Sequence, residues 1–321
     1  MALINIKVNP GESRTEELNI AKLHNGTDLK IPVIISRGLE DGPCILLSAG
    51  IHGDETNGVE IVRQIIRNGY NIPQRGTIIC MPVVNVFGFI SQTRDFPDGR
   101  DLNRMFPGTK NGSLASRFAY SIMDEIEPHI DYCIDFHTGG AMRFNYSQIR
   151  LDIKNQETLE LAKVFGTKFI IDAENRDKSF RDALTERGKK VLLFEGGKSL
   201  NLDRIVTQIG ILGALRVMHH LNFRDFSKEI STFNYPTEKQ VLVEKSTWVR
   251  AKESGMYRNK KRLGAKVSKG DVLGTISDPF GTFEIELTSP NDGYIICTNH
   301  APIVYEGDAV VHITTSITED F

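Results

Sequence analysis

Residues 44–55 read CILLSAGIHGDE, an unbroken apolar run that ends in glycine and continues into a His-x-x-Glu motif. A short, uninterrupted apolar run is typical of a strand that is buried on both faces of a parallel sheet. Such a strand would deliver His52 to the carboxyl edge of the sheet, where open α/β folds bind their ligands. The stretch therefore predicts an α/β fold with polar side chains gathered at one sheet edge.

His52 and Glu55 are spaced so that both side chains can reach one ion from a loop that enters a helix. Catalytic zinc commonly takes two histidine nitrogens and one carboxylate, which leaves a fourth position for water. Taken alone, the motif is more often a surface histidine beside a glutamate at a helix start. The metal-site interpretation therefore depends on ligands elsewhere in the chain.

Two further predicted strands end in candidate site residues. Residues 132–136 lead into His137, and Asp135 shares its face because alternate residues of a strand point the same way. Asp135 is thus a candidate hydrogen-bond partner for a metal-bound imidazole. Residues 191–194 lead into Glu195, and the two glycines that follow leave space around its carboxylate. The chain therefore offers a second histidine and a second carboxylate at strand ends.

A loop rich in glycine, proline and charge follows another apolar strand, predicted at residues 77–84. The loop contains Arg94, Arg100 and Arg104. Fork-shaped donors in a loop after a buried strand favour a binding role over a mere connection. Solvation alone explains Arg100, so we leave it out of the predicted site.

These segments, in this order, resemble the zinc carboxypeptidase superfamily and, within it, the succinylglutamate desuccinylase/aspartoacylase family. The joint match covers about residues 30 to 220 and is much more specific than any single motif. The matching motifs are His52-x-x-Glu55, Thr93-Arg94, Asp101-Leu102-Asn103-Arg104, Asp135-Phe136-His137 and Phe194-Glu195-Gly196-Gly197. The resemblance implies a zinc-carboxypeptidase-like mixed sheet flanked by helices.

The resemblance also implies a role for each residue of the reacting centre. His52, Glu55 and His137 would be the ligands of one zinc ion per chain. Glu195 would be the general base, a role that needs a carboxylate within hydrogen-bond reach of the attacking water. Arg94 would lie beside the substrate carbonyl as an electrophile, where negative charge develops on the oxygen.

Substrate contacts are expected from two segments. By the resemblance, Asn103 and Arg104 clamp a substrate carboxylate, and a neutral donor with a bidentate cation suits that group. Arg143 and Tyr146 follow His137 closely, and with Arg150 they are further candidates to line the pocket.

Other residues have simpler explanations than a place in the site. Arg181 begins an amphipathic segment, for which a solvated helix face is the default. His129, His300 and His312 have no partner at metal-ligand spacing. We therefore leave these four residues out of the predicted site.

The implied reaction is hydrolysis of the amide bond of a small N-acyl amino acid to a carboxylate and a free amine. Two alternatives stay open. One is a zinc metallocarboxypeptidase that acts on peptides, and the other is a non-catalytic binding protein on the same fold. The intact ligand set with Glu195 favours an enzyme.

Composition sets the broad class. The chain has 321 residues, which exceeds the size at which a single core usually stops growing, so two domains are expected. A formal charge of -2 gives no case for a nucleic-acid partner. The four cysteines lie at wide, irregular spacing, as expected in a reducing compartment. The N-terminus lacks the apolar block of a signal peptide, and no apolar run is long enough to span a membrane. The expected location is the cytoplasm.

We predict a catalytic domain at residues 1–224, a polar linker at 225–244 and a small all-β domain at 245–321. Recurrent glycines between short β-favouring segments indicate the last of these. It resembles the barrel-sandwich fold of biotinyl and lipoyl carriers, but Thr282 occupies the position of the modified lysine. We therefore expect a domain that caps the active-site mouth or joins subunits, and a homo-oligomer, either a dimer or a tetramer.

Overall fold

The computed structural model describes residues 2–3, 6–22, 26, 28–235, 238–319 and 321. Within these residues lie eighteen β-strands and seven α-helices. Twelve of the strands form one mixed sheet, four form a second sheet, and the first two described strands form a two-stranded antiparallel sheet. None of the described helices combines the length and the hydropathy that crossing a membrane requires.

The strands, in chain order, are β1 (Ala2–Leu3), β2 (Ile6–Lys7), β3 (Ser13–Lys22), β4 (Asp28–Arg37), β5 (Glu40–Ala49), β6 (Arg75–Met81), β7 (Tyr132–Gly139), β8 (Arg143–Leu151), β9 (Phe169–Asp172), β10 (Lys190–Lys198), β11 (Val241–Arg250), β12 (Gly255–Asn259), β13 (Lys266–Val267), β14 (Val272–Ser277), β15 (Glu284–Thr288), β16 (Gly293–Asn299), β17 (Ile303–Val304) and β18 (Ala309–Glu319). The helices are α1 (Thr56–Arg67), α2 (Val86–Ser91), α3 (Leu114–Ile126), α4 (Gln156–Phe165), α5 (Phe180–Thr185), α6 (Arg204–His220) and α7 (Ser227–Ser231). Short 3-10 turns occupy Leu102–Arg104 and Glu127–His129.

The large sheet has the strand order β13-β16-β18-β11-β9-β8-β10-β7-β5-β6-β4-β3. Strands β6, β5, β7 and β10 are parallel to one another, whereas β8 runs antiparallel to β10. The carboxyl ends of β5, β7 and β10 therefore meet at one edge, which is the arrangement that the apolar runs predict. The predicted mixed α/β sheet flanked by helices is confirmed.

The central strands are buried on both faces. Leu47 of β5 belongs to an apolar cluster that includes Ile61 of α1 and Leu215 of α6. Leu46 points the opposite way, into a second cluster with Phe118 of α3. Because alternate strand residues face opposite sides, an unbroken apolar run is what a strand between two helical layers requires.

One predicted strand is too long at its end. The sequence predicts a strand at residues 77–84, but β6 ends at Met81. Pro82 lacks a backbone N–H and cannot continue the ladder of hydrogen bonds. The chain turns instead toward the loop that follows β5, and the N–H groups of Val84 and Asn85 donate to the carbonyls of Ala49 and Gly50 at 2.9 and 2.8 Å.

The last third of the chain continues the large sheet. The first three residues of β11 pair in parallel with β9, and β11 then pairs along its length with β18. Strand β16 pairs with β18 and also with β8, so β8, β9, β11, β18 and β16 close into a ring. Strands β15, β14, β12 and β17 form the separate four-stranded sheet.

All of the described elements from β11 onward are strands, and they enclose a core of their own around Leu273, Ile276 and Ile313. The predicted linker at residues 225–244 contains α7 and the start of β11. The division into domains at residues 224 and 245 stays a prediction.

Candidate metal centre and active-site cleft

A tight turn after β5 brings the His-x-x-Glu motif to the sheet edge. Gly50 has a φ of +65°, a backbone conformation that glycine adopts without steric cost. A Cβ atom on Gly53 would lie 1.8 Å from the backbone of Gly88 in α2. The turn therefore requires glycine at both positions, and α1 begins directly after Glu55.

His52, Glu55 and His137 form a buried cluster at the ends of β5 and β7. One candidate ligand atom from each residue lies within 4.8 Å of the others. Nδ1 of His52 is 2.6 Å from Oε1 of Glu55, and Nδ1 of His137 is 3.0 Å from Oε2 of the same carboxylate. Both imidazoles thus direct Nδ1 toward the Glu55 carboxylate.

The outward nitrogens of both histidines are held by carboxylates. Nε2 of His52 is 3.1 Å from Oδ1 of Asp101, and Nε2 of His137 is 2.8 Å from Oδ2 of Asp135. Asp135 in turn accepts a hydrogen bond of 2.7 Å from Ser48 Oγ. Metal-binding histidines generally donate their second N–H in this way, which leaves the other nitrogen free to coordinate. This donor set fits a first-row divalent metal ion.

The charges in the cluster favour an ionised Glu55. Burial alone would raise the pKa of Glu55, but His52 and His137 outweigh it and lower that pKa well below its ordinary value. Burial disfavours the charged form of His137, whereas Asp135 and Glu55 raise its pKa well above the ordinary value. The negative charge of Glu55 and the positive charge of protonated His52 and His137 therefore stabilise each other. A bound cation would compete with protons for the same histidine nitrogens.

Arg94 lies at the open side of the cluster. One terminal nitrogen donates to Oε1 of Glu55 at 3.3 Å, and the other donates to Oδ2 of Asp101 at 2.9 Å. The side chain is 37% exposed, so it borders the cleft and is not part of the core. Its guanidinium group is within reach of a ligand that enters beside the metal centre.

Asn103 and Arg104 also line the cleft. Asp101 caps the short turn that contains them by accepting a hydrogen bond of 2.9 Å from the Asn103 N–H. Asn103 Oδ1 accepts from the Phe180 N–H at 2.8 Å, which ties the turn to α5. Burial, together with the nearby charges of Arg176 and Arg94, lowers the pKa of Arg104. Arg104 thus lies near two other cations, in a part of the cleft where an anion could bind.

Glu195 lies beside the metal cluster. It is the register partner of His137 on the adjacent parallel strand, and it borders the same cleft. Its Oε2 accepts a hydrogen bond of 2.8 Å from Asn145 Nδ2. The predicted ligands and the predicted base are therefore brought together at the meeting point of β5, β7 and β10.

The two remaining predicted contacts have different positions. Arg143 lines the cleft, and its guanidinium carbon lies 5.5 Å above the ring of Trp248. Tyr146 is not among the residues that line the cleft; its hydroxyl donates to Glu238, and its ring packs on Phe169. Contact of Tyr146 with substrate stays a prediction, and this location does not favour it.

Arg181 contradicts the expectation of a solvated helix face. It is only 6% exposed and lines the cleft, with its terminal nitrogens donating to the backbone carbonyls of Arg150 and Glu174 at 3.0 and 2.9 Å. Burial and the neighbouring Arg150 lower its pKa to about 10. The amphipathic pattern misled because α5 is short and packs its first turn inward, beside Phe180 and Leu184. Arg150 lines the cleft as the sequence suggested.

Strands β11 and β18 supply a wall of the cleft that the sequence analysis missed. Trp248 and His312 are cross-strand partners, and their rings stack at 4.4 Å with an interplanar angle of 7°. Burial and Arg150 lower the pKa of His312 to about 3, so its imidazole is neutral. Asn299 and Asp308 line the same wall. These residues reach the cleft only through strand pairing between distant parts of the chain, and no local sequence motif predicts their position.

The complete cleft has a volume of about 790 Å³. This size lies within the range of ordinary small-molecule sites. One side, called the metal side, carries the His52, Glu55 and His137 group together with Glu195. The second side carries the arginines of β8 and α5. The third side is the wall formed by β11, β16 and β18.

Comparison with known proteins agrees with this geometry. The chain is 27% identical over 297 residues to the N-alpha-acetyl-L-2,4-diaminobutyric acid deacetylase of Halomonas elongata, a match that covers 88% of this chain and 85% of the relative. The succinylglutamate desuccinylase/aspartoacylase structure from Rhodobacter sphaeroides superposes with a TM-score of 0.83 at 24% identity and covers 98% of both chains. The product-bound ectoine utilization protein EutE (DoeB) from Ruegeria pomeroyi gives a TM-score of 0.82 at 21% identity, over 97% of this chain and 98% of the other.

These two solved structures share the fold. A sequence model of the succinylglutamate desuccinylase/aspartoacylase catalytic domain matches residues 41–221, which is more than half of the chain and includes the metal cluster, Arg94, the Asn103–Arg104 pair and Glu195. The chain therefore belongs to the succinylglutamate desuccinylase/aspartoacylase family.

Proposed function

We propose that this protein is a zinc-dependent deacylase that hydrolyses the amide bond of a small N-acyl amino acid to a carboxylate and a free amine. The observation that carries the proposal is the convergence of His52, Glu55 and His137 with Glu195 in a single cleft. The deacetylase relative from Halomonas elongata supports an N-acyl amino acid as the substrate.

His52, Glu55 and His137 would hold the metal ion. Zinc bound by such ligands acidifies a water molecule to a pKa of about 7 and polarises a carbonyl group. The buried nitrogens with their outer carboxylates support this assignment, because the ligands are already oriented.

The remaining chemistry falls to side chains around the cluster. Glu195 would take a proton from the attacking water and pass it to the nitrogen of the leaving amine. Arg94 would donate hydrogen bonds to the carbonyl oxygen as negative charge develops there. Asn103 and Arg104 would hold the carboxylate of the amino acid and so keep the amide bond beside Glu195.

The second side of the cleft supports a substrate with another anionic group. Arg150 and Arg181 are adjacent, and no carboxylate in the described residues pairs with either of them. The Nε atom of Arg150 is buried and has no hydrogen-bond partner among the described residues. Two adjacent guanidinium groups that form no described ion pair suit a carboxylate as a ligand.

A cationic side chain is the alternative within the same reaction. The named relative is a diaminobutyrate deacetylase, and Glu174 and Asp308 also line the cleft of this chain. A substrate with a free ammonium group could contact either carboxylate. Comparison of acidic, neutral and basic amino acids therefore decides between the two classes.

The test is release of free amine from N-acetyl, N-succinyl and N-formyl amino acids and from a control tripeptide. Zinc-loaded protein and chelator-stripped protein are assayed in parallel. We expect zinc-dependent turnover of one or a few N-acyl amino acids and no cleavage of the tripeptide. Cleavage of the tripeptide alone would replace the proposal with a carboxypeptidase. A protein that binds no metal and turns over nothing would favour the binding-protein alternative.

We further propose a cytoplasmic homo-oligomer, as the sequence analysis predicts. Light scattering coupled to size-exclusion chromatography would measure the mass against the 36.0 kDa chain. A mass of two or four chains supports the proposal, and a single chain contradicts it.

A further inference from the structure

Asn145 makes a single, well-placed contact with the predicted base. Its Nδ2 donates to Oε2 of Glu195 at 2.8 Å, and Asn145 is only 6% exposed. In the described part of the chain, no second side chain hydrogen bonds to the Glu195 carboxylate. Asn145 therefore makes the one described side-chain hydrogen bond to that group.

The backbone around this contact is unusual. Asn145 pairs with Gly197 of β10 on one side and with Cys297 of β16 on the other. The register between β10 and β8 shifts between Glu195 and Gly197, and Gly197 has a φ of +73°. Bulges of this kind re-aim a side chain next to a functional site. A glycine in this conformation and a strand on each side fix where Asn145 lies relative to Glu195.

The type of partner suits a base. An amide is neutral, so it can hold one carboxylate oxygen without competing electrostatically for a proton, as an arginine or lysine would. Oε1 of Glu195 stays available to accept that proton. Glu55 differs, because Oε1 contacts His52 and Arg94 while Oε2 contacts His137 and the Thr138 N–H. The surroundings of Glu55 thus suit a metal ligand, whereas those of Glu195 suit a general base.

We propose that Asn145 is a positioning residue that holds Oε2 of Glu195 and presents Oε1 to the reacting water, and that the pairing of β16 with β8 keeps Asn145 in place. The catalytic part of this inference rests on the proposed deacylase function. It assigns to the last third of the chain a role in the chemistry itself, exerted through Cys297 and Asn145.

The chain provides a matched control. Gln148 is the cross-strand register partner of Glu195 on the same strand as Asn145, and it is fully buried. Its side-chain amide nitrogen and oxygen have no hydrogen-bond partner in the described structure. Replacing an unpaired buried amide by an apolar group of similar shape is close to neutral for stability. Gln148→Leu therefore removes an amide next to Glu195 without removing the contact in question.

The experiment compares Asn145→Leu with Gln148→Leu by steady-state kinetics on the best substrate, with zinc content measured in both. We expect Asn145→Leu to lower kcat by about 10- to 100-fold with KM within about twofold of the wild type and zinc retained, because a small misplacement of a reacting group costs about that much. Gln148→Leu should keep the wild-type kcat. Equal losses in both variants, or an unchanged kcat in Asn145→Leu, would overturn the proposal.

A second variant gives a signature that a purely structural role would not produce. Asn145→Asp places a carboxyl group within hydrogen-bond distance of Glu195, and two such groups share a proton. The acidic limb of the pH profile of kcat should move to higher pH, and activity should recover as the pH rises. A profile that falls uniformly at every pH would contradict the inference.

Crystal structures of wild type and Asn145→Leu test the positioning without any turnover. We expect the Glu195 carboxylate to leave its wild-type rotamer in the variant. An unmoved carboxylate overturns the positioning role, whatever the activity. If the wild type hydrolyses no N-acyl amino acid, the proposed function fails, while this structural comparison still decides whether Asn145 orients Glu195.

Discussion

Two regions of the cleft differ in how their residues are assembled. The metal side consists of residues at the ends of β5, β7 and β10, and most of them belong to short motifs such as His52-x-x-Glu55. The third side consists of single residues from β11, β16 and β18, such as Trp248 and His312, which are 64 positions apart (312 − 248). The comparison teaches that the proposed chemistry is encoded in local motifs, whereas the shape of the substrate space depends on distant strand pairing.

The metal side and the second side of the cleft, which carries the arginines of β8 and α5, differ in how their charges are paired. On the metal side, each histidine contacts two carboxylates, and Arg94 is paired with Asp101 and Glu55. On the second side, Arg150 and Arg181 have no described carboxylate partner. A region whose charged groups are paired with carboxylates is suited to hold a metal ion. A region whose arginines have no carboxylate partner is suited to attract a substrate anion. Variants of the two regions should therefore fail in different ways.

The largest expected effect is loss of the metal. His52→Ala or His137→Ala removes one of the three proposed ligands, so the zinc content should fall from about one per chain toward zero. Catalysis should drop by about 10³-fold or more, because metal stabilisation of the transition state amounts to several kcal/mol. Metal analysis by plasma mass spectrometry with parallel kinetics checks this. Full zinc retention in either variant would remove that histidine from the ligand set.

Next in size is the loss of the base. Glu195→Gln should keep the zinc and lower kcat by about 10²- to 10⁴-fold, since general-base catalysis contributes that much. KM should change little, because the amide keeps the shape of the side chain. The measurement is kcat with metal content on the same sample. Retained turnover would show that another group accepts the proton.

Asp101 and Asp135, which contact the Nε2 atoms of the two histidines, allow a further test of the metal side. Asp135 Oδ2 lies 2.8 Å from Nε2 of His137. Asp135→Asn keeps the shape of the side chain but weakens this hydrogen bond. Loss of such a partner typically costs about 10- to 100-fold in metal affinity or activity. Zinc affinity measured by competition with a chelator tests it. An unchanged affinity would mean that the strand alone orients His137.

The smallest effect is expected on the side of the cleft that carries Arg150 and Arg181. Arg181→Met removes a guanidinium group but keeps an apolar stem, so KM for a dicarboxylic N-acyl amino acid should rise by about 10-fold or more with kcat nearly unchanged. Arg187→Met is a matched control, because Arg187 is exposed just beyond α5 and donates to the backbone of Ala183. Equal behaviour of the two variants would exclude Arg181 from substrate binding.

Prediction from the sequence succeeded where the signal is local. Apolar runs and the polar residues after them located β5, β7 and β10 and placed His52, His137 and Glu195 at their ends. It failed for Arg181, whose burial depends on the packing of α5. It also missed Asp101 as the partner of His52, although Asp101 begins a motif that the sequence analysis had singled out.

By itself the sequence determined the α/β sheet, the donor types of the metal cluster and the order in which they occur along the chain. These depend on hydrophobic periodicity and on short spacings, which a linear chain carries directly. The tertiary structure alone decided that β16 pairs with β8, that Trp248 and His312 line the cleft, and that Asn145 holds Glu195. Such contacts join residues from distant strands, and the register of strand pairing is set by packing over the whole sheet.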